Sequence, residues 1–347
     1  MIELLSSLIR IPSFSRDERE ACECLEQWMN AHGLTPLRKG NNLWIENRPA
    51  EPGLPTILLN AHIDTVRPAA SYTRDPFAPA IEDDRLYGLG SNDDGGSLVA
   101  LLQTYIQRYN QVPYRLIFSA TAEEEVCGQG GLDLVKDDWG QVDLGIIGEP
   151  TRLQIAVAER GLLVLDCTAH GVSGHAARNE GVNALYKAID DIAWFRTYRF
   201  PKVSEYLGEV KMSVTMIDAG TQHNVVPDTC HFVVDVRSNG CYTNAELVDL
   251  IRSQVSCDVK PRSTRLNASH IEATHPIVQW AKKEGITLFG SPTTSNQTLL
   301  TFPTIKVGPG DSARSHSADE YICQSEIDDA VRFYTHLLDA LTTIYTI

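Results

Sequence analysis

The stretch TILLNAHID at residues 56–64 is an unbroken apolar run that stops at two side chains able to serve a metal, His62 and Asp64. A run of this length, lacking the alternation of a half-solvated strand, reads as a parallel strand buried on both faces, with its end at the carboxyl edge of the sheet. The design recurs three times. LIFSATA (116–122) leads into Glu123, Glu124 and Glu125, LGIIG (144–148) into Glu149, and TIKVGPG (304–310) is followed shortly by His316. Asp93 lies in a glycine-rich turn, YGLGSNDDGGS (87–97). Sites in open α/β sheets are built at the carboxyl edge, so the pattern predicts an α/β fold that gathers carboxylates and imidazoles there.

Around this frame, Ser15 and Glu18 have the spacing of a capping box for a helix over 16–31. Further strands are expected at 42–46, 114–120 and 142–148. A helix follows Gly95-Gly96, with Leu98, Leu101, Leu102 and Tyr105 at helical spacing. This is the rhythm of a mainly parallel mixed sheet flanked by helices. From Gly161 the rhythm changes. A strand in RGLLVLDCTAHG, a helix at 181–197, two strands in VKMSVTMIDAG and TCHFVVDVR, a helix at 243–254 and a strand near 257–260 suit a small α+β sandwich. Residues 159–268 are therefore expected to be an inserted lid and dimerisation domain. Residues 1–158 and 269–347, with helices at 275–285 and 325–345, form one discontinuous catalytic domain.

The 347 residues suffice for two domains, and 43% hydrophobic content indicates an ordered globular chain. A net charge of −15 disfavours nucleic acid and anionic membranes as partners. The eight cysteines are scattered without a C-x-x-C pair, and the opening residues lack a cleavable signal pattern. A reduced, cytoplasmic protein is expected.

His62-x-Asp64 places both side chains on one side of a pleat, so His62 can bind a metal while Asp64 orients it. Glu124 and Glu125, as neighbours on an extended backbone, point in different directions: one can bind metal while the other faces substrate. Zinc accepts this nitrogen and oxygen donor set, and cobalt or manganese suit it equally. Metal-activated water between two such ions, with an unliganded Glu as general base, would hydrolyse an amide without a covalent intermediate.

The chain resembles the M20 family of metallopeptidases and deacylases. The matching segments are NAHIDTV (60–66), YGLGSNDDGGSLVA (87–100), TAEEE (121–125), GEPT (148–151), GVSGHAA (171–177), HNVVPD (223–228) and HSADEY (316–321), in the family's order. The resemblance implies a zinc-peptidase-like fold and two Zn2+. Asp93 would bridge both ions, His62 and Glu149 completing one site, Glu125 and His316 the other. Glu124 would be the general base and Asp64 the partner of His62. A cis Asp93–Asp94 bond is implied, as is a homodimer in which His175 reaches the neighbouring subunit's site to stabilise the oxyanion. Asn224 and Arg237 match lid positions that contact substrate, and Arg178 and Arg314 are further substrate candidates. Arg160 and the histidines outside these motifs read as structural or surface residues.

There are departures: Leu89 and Gly95 stand where an Arg and a Lys are usual, and Asn296 where an Asp is common. Within the family the chain looks most like the acetylornithine deacetylase branch. The expectation is thus a dizinc deacylase of an N-acetyl- or N-succinyl-ornithine or -citrulline in arginine biosynthesis. The alternatives are a succinyl-diaminopimelate desuccinylase, a dipeptidase, or a non-catalytic metal or amino-acid binding protein.

Overall fold

A computed structural model describes residues 1–178 and 180–345. The chain divides into two compact units, one of residues 1–157, 271–289 and 295 onward, the other of residues 158–270 and 290–294.

In the first unit, four parallel strands lie side by side in the order Arg115–Thr121, Thr56–His62, Leu144–Ile147, Thr304–Lys306. They are the four apolar runs, and all of their residues are buried. Leu58, Phe118 and Ile146 are fully buried, a gain of roughly 1.5–3 kcal/mol for each such side chain. Antiparallel strands Asn42–Glu46 and Leu37–Lys39 extend one side, and Ile155–Glu159 the other. Parallel register aligns His62 with Thr121 and Asn60 with Ile147, so the strands end together. Helices cover this mixed sheet, as the patterning predicts. Gly96–Arg108 packs against Gln324–Tyr345, whose Tyr334 hydroxyl donates to the Val307 carbonyl at 2.7 Å. A Cβ at Gly308 would lie 2.4 Å from Ser97 Oγ and 2.5 Å from the Glu149 carbonyl. Only glycine lets that helix approach the strand end so closely.

The expected capping box does not form. The helix runs Arg19–Ala31 with Glu18 itself as N-cap and no side-chain cap. Ser15 and Glu18 turn their side chains elsewhere: the Ser15 hydroxyl donates to the Asp64 carboxylate, and Glu18 accepts the Glu123 N–H. Among the elements absent from the sequence reading are helix Ile2–Ile9, strand Ile155–Glu159, and a small antiparallel sheet of Ala80–Glu82, Arg85–Tyr87 and Tyr321–Cys323. Helix Ile2–Ile9 bears on one departure from the family pattern. A Cβ at Gly95 would lie 2.5 Å from Leu5 Cδ1, so Leu5 fills the space a longer side chain there would need.

The second unit is an antiparallel sheet in the order Lys211–Ala219, Thr229–Ser238, Gly161–His170, Asp258–Pro261. Burial alternates along Gly161–His170 and Thr229–Ser238, the signature of a sheet with one covered face. Helices Ala184–Thr197 and Asn244–Arg252 cover it, packing Phe195, Leu247 and Ile251 against Leu165, Phe232 and Val234. Thr243 and Glu246 form a true capping box at the second helix. Among the described residues no helix is long and apolar enough to cross a membrane.

Candidate metal centre

His62 is the last residue of its strand and is buried. Its Nδ1 lies 2.9 Å from the Asp64 carbonyl oxygen. A carbonyl can only accept, so Nδ1 carries the proton and Nε2 offers its lone pair to the site. Nε2 faces Asp93 Oδ1 at 3.2 Å.

Asp93 sits in the irregular turn Ser91–Gly95, and the Asp93–Asp94 peptide bond is cis, as the resemblance implies. Buried Glu320 holds the turn: Oε2 accepts the Gly90 N–H, and Oε1 accepts those of Asn92 and Asp93, all at 2.9 Å. Burial and the charge of Asp93 push the Glu320 carboxyl up to about 8.

The Glu123–Glu125 triplet is not extended. Glu123 and Cys127 take left-handed backbone angles, φ 55° and 46°, around a 3-10 turn at Glu124–Val126. The turn, rather than strand alternation, separates the three side chains. Glu123 folds back over the Gly128–Gly131 loop, where a Cβ at Gly128 would lie 1.8 Å from its Oε2 and one at Gly130 2.2 Å from its Oε1. Glu124 turns inward, 4.0 Å from His62 Nε2. Glu125 meets His316 Nε2 at 3.0 Å. His316 lies 3.7 Å from Asp93 Oδ2 and has a left-handed φ of 57°.

Two sets of three donors converge on Asp93. One is His62, Asp93 and Glu149, the other Asp93, Glu125 and His316, each with ligand atoms within 4.8 Å of one another. His62, Glu124 and Glu125 meet the same distance criterion, so Glu124 borders both sets. Burial raises Glu124 and Glu149 well above the usual carboxylate range, and neighbouring carboxylates push the same way. Asp93 is held low: burial, the largest single influence, opposes ionisation, but the hydrogen bond and charge of His62, the Ser315 hydrogen bond and the charge of His316 together outweigh it. The Glu125 hydrogen bond lifts His316 to about 9. This is a buried excess of anionic oxygen with two imidazoles, the donor chemistry of a divalent-cation centre. The residues fit such a group.

Asp64 holds the turn as well as the imidazole. Oδ1 accepts the Glu124 N–H at 3.0 Å, and Oδ2 accepts the Glu125 N–H at 3.1 Å and the Ser15 hydroxyl at 2.7 Å.

The substrate candidates are differently placed. In the second unit, His175 and Asn224 lie on adjacent segments: His175 pairs with Val225, and the Asn224 carbonyl accepts the Ala176 N–H at 3.0 Å. His175, Arg178 and Asn224 are exposed. Arg237 is ion-paired with Asp235 at 2.8 Å. Arg160 donates to the Glu209 carbonyl at 2.8 Å and to those of Arg237 and Leu207, a structural role as the sequence suggests. In the first unit, Arg314 is gripped by Glu326.

Sequence reasoning missed the roles of Glu18, Ser15 and Glu320, and an amide network below the site. Asn296 Nδ2 donates to Asn60 Oδ1 and Thr121 Oγ1, both at 3.0 Å. An Asp at 296 could donate neither bond, which accounts for this departure from the family pattern.

Residues 58–340 match Peptidase family M20/M25/M40. The chain is 29% identical to a [LysW]-lysine/[LysW]-ornithine hydrolase of Sulfurisphaera tokodaii, covering 98% of this chain and 95% of that protein. It is 25% identical to succinyl-diaminopimelate desuccinylase 2 of Ruegeria sp. (strain TM1040), over 97% and 94%. A tripeptidase from Staphylococcus aureus shares the fold, with a TM-score of 0.77 at 19% identity over 99% of this chain and 98% of that one. With this match and this site, the chain belongs to the M20/M25/M40 peptidase family of metal-dependent hydrolases.

Proposed function

We propose that this protein is a two-metal deacylase that cleaves the amide bond between an acyl group and the α-nitrogen of a diamino acid or its derivative. The observation that carries the reading is the pair of donor sets sharing Asp93, with Glu124 beside them. His62, Asp93 and Glu149 would hold one cation, and Asp93, Glu125 and His316 the other; zinc suits both. When bound, the cations polarise an amide carbonyl and acidify water.

The chain's own residues then handle protons and position. Asp64 and the Nδ1 bond fix His62. Glu124 in its ionised form takes a proton from the attacking water; burial raises the proton affinity of this carboxylate, so it holds the proton until it gives it to the departing amine. The lid's His175, in a homodimer, would stabilise oxyanion charge in the neighbouring subunit's site, with Asn224, Arg237 and Arg178 as substrate contacts; Arg314 is bound by Glu326 and is not among them.

The two similar hydrolases are named for derivatives of lysine, ornithine and diaminopimelate, which are all diamino acids. N-acetyl- and N-succinyl-ornithine and -citrulline, of an arginine-forming route, are the first compounds to test. The desuccinylase reading is supported by the 25% identical relative. Comparing kcat/KM on acetylornithine, succinylornithine, acetylcitrulline, succinyl-diaminopimelate and a dipeptide separates the two.

Turnover is expected to vanish with chelator and to return with zinc. Glu124→Gln should keep two metals per chain by elemental analysis and lose kcat by roughly 10²- to 10⁴-fold. Wild-type turnover by that variant, or hydrolysis of nothing in the panel, would overturn the proposal.

A further inference from the structure

The turn that carries Glu124 and Glu125 directs three consecutive backbone N–H groups at carboxylates from elsewhere in the chain. Asp64 takes the N–H groups of Glu124 and Glu125. The third, from Glu123, goes to Glu18 Oε1 at 3.2 Å. Glu18 has no exposed surface and lies on the opening segment, 105 residues away in sequence. The same Oε1 accepts the Arg16 N–H, and Oε2 accepts Asn41 Nδ2 at 3.1 Å. Arg16 and Glu123 are both non-glycine residues in the left-handed region, φ 77° and 55°. One carboxylate oxygen therefore joins two backbone positions that side chains ordinarily avoid. Two residues before Arg16, Phe14 bridges Thr65, and Ser15 Oγ completes the hold on Asp64.

We propose that Glu18 is a positioning residue for hydrolysis. By holding the Glu123 N–H it keeps the backbone in the one conformation that turns Glu123 back over the glycine loop, Glu124 toward His62 and Glu125 toward His316. Ser15 assists from the same segment through Asp64. A row of converging N–H groups is an anion-binding nest, and here the anions belong to the chain. Removing the Glu18 carboxylate leaves a buried donor unpaired and a left-handed glutamate unsupported. The turn then relaxes, and the base moves relative to the scissile bond. A displacement of about 1 Å at a catalytic group costs on the order of 10²-fold in rate. All of the proposed metal donors remain in place in sequence, and the Glu125 N–H stays bound to Asp64.

This inference rests on Glu124 as the general base, but it can be tested without turnover. Hydrogen–deuterium exchange is followed by mass spectrometry on peptides covering 120–128 in wild type, Glu18→Ala and Glu18→Gln, all zinc-loaded. Exchange there is expected to be roughly 10-fold faster in Glu18→Ala. In Glu18→Gln, whose amide oxygen still accepts the Glu123 N–H, it should be near wild type. On the best substrate of the panel, Glu18→Ala is expected to lose roughly 10- to 100-fold in kcat with KM within about threefold. Metal content should stay at the wild-type level, and Glu18→Gln should recover most of the rate. The proposal is overturned if exchange over 120–128 is unchanged in Glu18→Ala, if Glu18→Gln behaves like Glu18→Ala, or if exchange accelerates across the whole unit alike. A wild type inert on every substrate would refute the deacylase reading, while the exchange results would still decide the role of Glu18.

Discussion

Arg314 lies 4.5 Å over the Tyr321 ring, and its two terminal nitrogens meet the two Glu326 oxygens at 2.7 and 3.0 Å. Burial raises the Glu326 carboxyl, but the Arg314 hydrogen bond and the Cys323 N–H outweigh it, and the net shift is downward. A depressed folded-state pKa means that the pair's stabilisation is fully present above the unfolded value, about 4.3 for Glu. It fades as pH falls through the lower folded value. Arg314→Ala is therefore expected to be less stable than wild type by about 1 kcal/mol at pH 7. That gap should narrow on acidification toward pH 3. Thermal midpoints across this range check it, and a gap independent of pH would show that the ion pair is not its source. In the sequence, Arg314 is a candidate substrate contact. Nothing in SARSHSADEY reveals that a carboxylate twelve residues away satisfies it. Among the candidate metal donors, His62 and Glu149 were legible for the opposite reason: each stands directly at the end of an apolar run, while Glu125 and His316 follow such runs a few residues on and Asp93 is marked by its glycine-rich turn.

At the scale of elements, a buried Asp joins helix to strand in the second unit. Asp191, on helix Ala184–Thr197, accepts the N–H groups of Ser256 and Cys257, both at 2.9 Å, and the Ser256 hydroxyl at 3.1 Å. These bonds pin the chain just before strand Asp258–Pro261 to the helix. Asp191→Ala strands two backbone donors and should cost roughly 2–4 kcal/mol. Asp191→Asn, which keeps one acceptor oxygen, should cost about half as much. The urea midpoints of the three proteins check the order, and an alanine variant as stable as wild type would mean that water replaces the carboxylate. Elements of seven to ten residues in the sheets were readable because burial imposes a pattern over several periods. Strands Ala80–Glu82, Arg85–Tyr87 and Tyr321–Cys323 have three residues each, too few for any period to register, and they lack the full burial that marks the equally short Thr304–Lys306 as part of an apolar run. Ser15 and Glu18 were readable as polar residues at cap spacing, yet their partners, Asp64 and Glu123, are remote in sequence. Local spacing cannot rank a remote buried donor against a nearby helix terminus.

At the scale of the whole molecule, the proposed homodimer has a physical motive in the second unit taken alone. Strand Lys211–Ala219 ends the sheet order, with one side paired to Thr229–Ser238. Met216 and Ile217 on it are 64% and 52% exposed, and Tyr186 and Ile189 on helix Ala184–Thr197 are 66% and 50% exposed. An apolar edge strand beside an apolar helix face is costly to leave in water and prone to pair with a copy of itself. If the dimer forms and His175 of the partner subunit serves each site, two separately inactive variants should complement each other. Glu124→Gln and His175→Ala each remove one part of the machinery. Mixed equally through co-expression, half of the dimers are hybrids, and each hybrid contains one site with both an intact Glu124 and the partner's intact His175. Activity should return to about a quarter of the wild-type level. Adding Met216→Asp to both chains should hold them as monomers on a sizing column and abolish the recovery. If His175 instead serves its own subunit, no hybrid site is complete and the mixture stays inactive, which would refute the exchange of this residue between subunits.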